Sequence, residues 1–442
     1  MRTLTEESFY RRLPTYRLLA AASVAITVVI CCAQQIRRRD GDPELFVNAA
    51  RLLLSGQDIY MIPSPHGNYY YYPPFFAFLN AVLIPLPAPF VTVLWTLATV
   101  ALLGWSVAAF YGDMNGRPFF SLPVKARWVV CFFSTLLAAR FIILHLRFGQ
   151  TNVLVLALAV LGLRWVTTGR PVRAGLAIAF SIVVKLTTLP FGFWFLARRG
   201  WKVLLGMILG GLIGVALPAL AVGVARDAAY HREWVESVVL SNAAGSGKWS
   251  NTGNVSLRAQ ADRFFLKADA FVYKDAIYHV TVVELPPSAV RLIGYLIMFC
   301  VALAIVIYAV RFRRASRLVG VWGGYAFVFS LIPSFSTVTE IPHLVLLLPA
   351  YIYLVHVWYV LRLKDRLFRS LFALSFILTT LTTGTFLGQF LGRFLAAIGF
   401  ISLGILLLPA AIYRAGVCLE SEDKLNDSLE ETDAPVEAGG GA

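Results

Sequence analysis

Apolar runs of about twenty residues recur along this chain, and they constrain its fold more than any other feature. A helix of that length is what crosses the hydrocarbon layer of a bilayer. In lipid every backbone polar group must be satisfied internally, which leaves helices or closed barrels. A soluble protein of 442 residues would alternate apolar and polar faces instead. Here 58% of residues are hydrophobic and only 14% are charged. The expectation is an all-α polytopic membrane protein with about ten to twelve transmembrane helices.

Full spans are expected at 16–35, 89–111, 128–146, 152–167, 202–223, 290–310, 318–334, 343–361, 367–386 and 392–413. The first run follows Arg2, Arg11, Arg12 and Arg17 and ends in Cys31-Cys32-Ala33-Gln34-Gln35. A cleaved signal peptide would be shorter and end in small residues, so a retained helix is expected. Two further apolar stretches are irregular. Phe75 to Leu86 is short and bounded by Pro73-Pro74 and Pro85; Ala174 to Ala197 is interrupted at Lys185 and Pro190. Broken apolar segments are tolerated only around a protein-lined cavity. If both are hairpins that do not cross, and the N-terminus is cytoplasmic, the inside loops all carry Lys or Arg, most clearly Arg311-Phe312-Arg313-Arg314. The outside segments are then 36–88, 147–151, 224–289, 335–342 and 387–391. If both cross, there are twelve spans, and Gly149-Gln150 moves inside.

The net charge of +15 follows the loops and does not mark a nucleic-acid binder. After Tyr413 the balance reverses, with eight acids against Arg414 and Lys424. That segment, 414–442, is expected to be a disordered cytoplasmic tail. The five cysteines show no metal-binding spacing, and none of their placements suggests a disulfide. No repeat period and no half-to-half symmetry is evident.

Polar residues that interrupt or border the apolar runs are the candidates for chemistry. Gly149-Gln150-Thr151-Asn152 separates two runs and is either a tight turn or part of a polar site at the membrane edge. Asp40-Gly41-Asp42-Pro43-Glu44 follows the first helix. Pro43 suits a first helical turn and Asp42 an N-cap, while either aspartate could serve as a general base. Tyr69-Tyr70-Tyr71-Tyr72-Pro73-Pro74 fits either an interfacial aromatic belt or a wall on which a sugar stacks. Lys185 lies inside an apolar run, where an ionisable group is expensive and usually functional. Arg140, His145 and Arg147 precede the Gly149-Gln150 break and either snorkel or meet a phosphate. His343 follows Thr339-Glu340-Ile341-Pro342 and is either a packing residue or a phosphate contact. The stretch from Asn251 to Arg258, which includes Asn254, is rich in hydrogen-bonding groups.

Taken together these segments resemble glycosyltransferase family 87, membrane enzymes of the GT-C class that use polyprenyl-phosphate mannose. The resemblance is carried by Asp42, by Ala49 to Tyr60, by Tyr72-Pro73-Pro74 and by Gly149 to Asn152. Val184-Lys185-Leu186-Thr187 with Pro190, Asn254 to Leu257, and His343 complete it. It implies a catalytic domain at 16–413, with outer loops 36–88 and 224–289 and interfacial helices in the first of them, behind a cytoplasmic N-terminus at 1–15. It implies inverting transfer of a hexose, mannose above all, to a lipid or glycan acceptor on the extracytoplasmic face of the cell membrane. Asp42 would be the base, with Asp40 as the alternative. Lys185, His343, Arg140, Arg147 and Arg258 would hold the donor phosphate. Tyr71, Tyr72, Gln150, Asn152 and Asn254 would contact substrate. Neither a metal nor another cofactor is expected. An aromatic residue expected shortly before the histidine is replaced here by Ser336-Thr337-Val338-Thr339. The competing expectation is a transporter or flippase for a lipid-linked sugar, using the same lining without chemistry. A non-catalytic assembly subunit would require that both aspartates be dispensable.

Overall fold

The structure is a computed structural model that describes residues 6–38, 41–244 and 250–432. It is 77% helical, and among the described residues eight helices are long and apolar enough to cross a membrane. The protein is an all-α polytopic membrane protein.

Helix α1 (Glu6–Arg38) is apolar, and most of its side chains from Leu18 to Ile30 are exposed, as suits a lipid-facing span. It is followed by α2 (Asp42–Ser55), which is amphipathic and buries Leu45, Phe46, Ala49 and Leu53. Gly56 ends α2 at φ 74°, donating its N–H to the carbonyls of Leu52 and Leu53. Next come α3 (Pro74–Leu79) with its 3-10 extension Asn80–Leu83, then α4 (Ala88–Met114), α5 (Val124–Phe148) and α6 (Asn152–Thr167). The stretch Pro74–Leu83 is too short to cross, as the flanking prolines suggest.

The second irregular stretch forms α7 (Pro171–Val184) and α8 (Phe191–Ala197), separated at Lys185 and a 3-10 turn at Leu186–Thr188. Lys185 has extended backbone, φ −159° and ψ 125°. Ser181 and Thr188 hydroxyls meet at 2.6 Å across the break and satisfy each other. Helix α9 (Trp201–Ala216) packs along α7 in parallel through glycines four residues apart. A Cβ on Gly206 would lie 2.1 Å from the Val172 carbonyl oxygen, and one on Gly214 would lie 2.7 Å from Val183. Small residues at this spacing let membrane helices approach closely.

The long segment between α9 and the next span contains α10 (Ala219–Val222), α11 (Val224–Trp234), a π-helical turn Val235–Leu240, α12 (Ser241–Ala244) and α13 (Leu257–Phe265). It also holds a hairpin of β1 (Phe271–Tyr273) and β2 (Ala276–Tyr278), paired antiparallel with Val272 opposite Ile277. Then α14 (Pro287–Arg311) leads to α15 (Gly324–Phe335) and α16 (Leu348–Val355), the most buried helices of the bundle. The chain closes with α17 (Arg366–Phe376), α18 (Gly384–Leu387), α19 (Gln389–Ala397) and α20 (Phe400–Thr432).

Three expected elements differ. The span expected at 367–386 breaks after Leu381, where Thr382 and Thr383 leave helical geometry. The span expected at 392–413 is split at Gly399, whose φ of 92° ends α19 before α20 begins. The acidic segment expected to be disordered from 414 continues as helix to Thr432. Ion pairs hold its start: Arg414 with Asp365 at 2.7 Å and Arg311 with Glu420 at 2.7 Å.

Contacts define two ends of the bundle. At one end, Gln35 Nε2 donates to the Leu146 carbonyl, and Lys185 meets both Asn152 and His343. At the other, Asp113 faces Arg164, and Arg198 donates to the carbonyls of Ala309 and Phe312. Each irregular stretch therefore begins and ends at one end of the bundle.

Candidate active site

The first of these ends holds a cavity of about 700 Å³. Asp42, Tyr71, Tyr72, Gln150, Lys185, Arg258, Glu340 and His343 all line it.

Asp42 is presented by local geometry. Gly41 is the N-cap of α2 and Asp42 its first residue, so the Asp42 side chain makes no capping bond, contrary to the N-cap expected from sequence. Its Oδ2 instead accepts from the Tyr72 hydroxyl at 3.3 Å. Burial pushes its carboxyl up to about 7, even though the nearby Lys185 charge pulls the other way. The start of α2 is wedged under the end of α5. Gly149, at φ 66°, ends α5, and a Cβ there would lie 2.6 Å from Pro43 Cδ and 2.7 Å from Gln35 Oε1. Only glycine serves at that position, both for its backbone and for the space.

Opposite Asp42 lies a closed ring of hydrogen bonds. Lys185 Nζ donates to Asn152 Oδ1 at 3.0 Å, and Asn152 Nδ2 donates to Gln150 Oε1 at 2.8 Å. Gln150 Nε2 donates to Glu340 Oε2 at 3.1 Å. The Glu340 N–H donates to His343 Nδ1 at 3.1 Å, and His343 Nε2 lies 2.9 Å from Lys185 Nζ, a contact whose direction the imidazole tautomer sets. Lys185 Nζ also sits 5.5 Å from the centroid of the Tyr72 ring, so one tyrosine touches both the acid and the amine. An ion of this kind at membrane depth is stable only when so partnered. The ring is assembled from three separate segments, 150–152, Lys185 and 340–343.

Glu340 was not singled out from sequence, though it stands three residues before His343. The spacing is that of a capping box, and both of its bonds are present. The segment that carries it is pinned from the long loop that contains Asn254. Asn254 Oδ1 accepts from the N–H groups of Ser256 at 3.1 Å and Thr339 at 2.9 Å, and Asn254 Nδ2 donates to the Thr337 carbonyl. Asn254 is buried and positions this segment rather than lining the cavity. Fully buried Arg263 clamps the same loop by donating to the carbonyls of Ser250, Asn251, Asn254 and Ala397.

The other expected site residues separate. Asn152 lies behind the wall, bonded to Lys185. Arg258 lines the cavity but is paired with Asp262 at 3.1 Å. Arg147 and Arg140 do not line it. The Arg147 guanidinium lies over Phe148, 5.4 Å from the ring centroid. Arg140 precedes Gly149 by nine residues, about 13 Å along the helix, and bonds the Thr379 carbonyl. Tyr72 is packed against Phe46 and Phe76 and is no interfacial belt residue, whereas Tyr69 and Tyr71 remain exposed. Asp40 lies outside the described residues. Among the described residues no group of three or more His, Cys, Asp or Glu side chains comes together as a metal site would.

A sequence-family model for glycosyltransferase family 87 matches residues 70–332, more than half of the chain. The chain belongs to glycosyltransferase family 87. No curated protein and no solved structure matches it. The match to family 87 takes in Tyr71, Tyr72, Gln150, Asn152, Lys185, Asn254 and Arg258, and it stops short of Asp42 on one side and of Glu340 and His343 on the other. The cavity thus joins residues inside the family 87 match to residues outside it. The protein is a membrane glycosyltransferase.

Proposed function

We propose that this family 87 enzyme moves a hexose, mannose foremost, from a polyprenyl-phosphate carrier to a hydroxyl of a lipid or glycan acceptor. The cavity end of the bundle would face the extracytoplasmic side of the cell membrane, in a GT-C arrangement. One observation carries the reading: a buried carboxylate, Asp42, and the Lys185–His343 pair line the same cavity, with Tyr72 touching both Asp42 and Lys185.

In the proposed step Asp42 takes the proton from the acceptor hydroxyl as that oxygen bonds to the anomeric carbon. The carbon–oxygen bond to the carrier phosphate breaks in the same displacement. The phosphate leaves with the electron pair, and the sugar inverts. The new charge on the phosphate falls against Lys185 and His343, with Arg258 adding positive potential behind them. A departing phosphate monoester is stable as a dianion, so no general acid is needed. The walls suit such a substrate. Tyr69, Tyr71 and Trp234 offer ring faces to sugars, while Leu186, Leu189, Ile297 and Met298 form an apolar side. Leu186, Leu189 and Tyr295 are also exposed on the flank of the bundle, where a polyprenyl chain would enter from lipid.

The test is a transfer assay with purified protein in nanodiscs, radiolabelled polyprenyl-phosphate mannose and a membrane lipid extract. Label should move to a new lipid or glycan product with wild type and not with Asp42→Asn. Transfer from a nucleotide sugar but from no polyprenyl-phosphate sugar would refute the donor. Equal transfer by both proteins would refute the base.

A further inference from the structure

A groove on the flank of the bundle poses a question that the catalytic cavity leaves unanswered. It lies between α5 and the broken end of α17, holds about 420 Å³, and is bordered by Arg140, Ile143, Thr383, Thr385 and Gln389. It shares no lining residue with the cavity around Asp42. Arg140 stands within the apolar run of α5, where a guanidinium is costly and normally has a partner. It carries five N–H donors, yet the bond formed is the one from Nη1 to the Thr379 carbonyl at 2.6 Å. Among the described residues no carboxylate forms an ion pair with it. Arg140 is itself part of the groove's lining.

The surroundings set the depth. Helix α17 runs on as a π-helical turn, Ile377–Leu381, and stops there; in α18 and α19 that follow, Phe386, Leu387, Phe390, Leu391 and Phe394 are exposed. A short amphipathic helix with such a face lies at the headgroup boundary. The guanidinium itself lies about 13 Å along α5 from Gly149, below that boundary, where an anionic headgroup drawn into the groove would neutralise it.

We propose that this groove is a binding site for the phosphodiester headgroup of an anionic membrane phospholipid. Arg140 would pair with the phosphate, Gln389 and the Thr383 and Thr385 hydroxyls would bond the headgroup, and an acyl chain would follow exposed Ile143. The proposal does not depend on the sugar donor or on the role of Asp42.

The experiment uses full-length protein in nanodiscs of equimolar phosphatidylglycerol and phosphatidylcholine, with retained lipid counted by native mass spectrometry. Wild type should retain phosphatidylglycerol several-fold over phosphatidylcholine. Arg140→Gln should bring that ratio to about one, Arg140→Lys should keep part of it, and Gln389→Ala should lower it by about threefold, the effect of one lost hydrogen bond. A wild-type ratio of one, or an unchanged ratio in Arg140→Gln, would overturn the site. If Arg140→Gln does not fold, Gln389→Ala and Thr385→Val carry the test, and no change in either overturns it. Displacement of the lipid by millimolar glycerol phosphate or inorganic phosphate alone would show a free-phosphate site and would also overturn it.

Discussion

At the scale of single residues, Asp42 and Lys185 carry the sharpest consequences. Asp42→Asn removes the proposed base while keeping the side chain's size. Transfer should fall by about 10²–10⁴-fold, the usual worth of a positioned acid or base, and the protein should still elute as a folded monodisperse species. Because burial raises the Asp42 carboxyl to about 7, the group is protonated below that value and cannot accept the acceptor's proton. In wild type, kcat/KM should therefore rise with pH through about 7 and level off above it. An acidic limb near 4 would mean that the carboxyl is not desolvated in the working enzyme. The stability effect has its own sign. The unfolded carboxyl loses its proton near 4 and the folded one near 7, so between these values the folded state binds more protons, and this group's contribution to stability falls as pH rises. Asp42→Asn should accordingly not lower the thermal midpoint at pH 8. Lys185→Met opens the hydrogen-bonded ring at its cationic member. Its kcat should drop by about 10²–10³-fold, as when one charge-stabilising donor is removed, with little change in the KM for acceptor. A KM effect alone would reassign Lys185 to acceptor binding.

At the scale of elements, the α7–α9 pair shows how closely the backbone beside Lys185 is held. Gly206 faces the Val172 carbonyl with no room for a Cβ, while a Cβ on Gly211 meets nothing within 4 Å. Gly206→Leu should destabilise by at least the 1–3 kcal/mol typical of overpacking, and by moving α7 it should also reduce transfer. Gly211→Leu, on the same helix, should match or exceed wild-type stability because it replaces a poor helix former. Thermal unfolding in detergent compares the two directly. Equal destabilisation would mean that α7 and α9 are not packed at this seam. The long loop that contains Asn254 works differently. It holds the Glu340–His343 segment through Asn254 and Arg263 hydrogen bonds to backbone, so its order is built from polar contacts rather than apolar burial.

At the scale of the whole molecule, the two ends of the bundle must lie on opposite sides of the membrane. Met61 is exposed at the cavity end and Phe120 at the other. In a cysteine-free background, Met61→Cys and Phe120→Cys should react with a membrane-impermeant maleimide from opposite faces. The proposed topology has Met61→Cys label from outside intact cells and Phe120→Cys only after permeabilisation. Labelling of both from one side would break the through-membrane assignment, and the reverse order would put the cavity on the cytoplasmic side.

The sequence by itself determined the class of the protein, because runs of apolar residues long enough to cross lipid admit few other folds. It also located the breaks. Prolines around 73–87 and at 190 forbid continuous helix, and a lysine inside an apolar run demands partners. Reach along the chain was harder to read. Leu381 to Gly399 is apolar enough to pass for span, yet positive-φ glycines at 388 and 399 turn it into short flank helices. The acidic end from 414 to 432 is composed like a disordered tail but stays helical, since its first turns have Asp365 and Arg311 to pair with. Only the tertiary structure decided which polar residues act together. Asp42, Lys185 and His343 stand far apart in sequence, and their meeting depends on how α2, the α7 break and the turn before α16 converge. The same packing turned Arg140 to another face and left Arg147 over Phe148. A one-dimensional pattern records how deep a side chain can lie, but not which of its neighbours across the bundle will share its cavity.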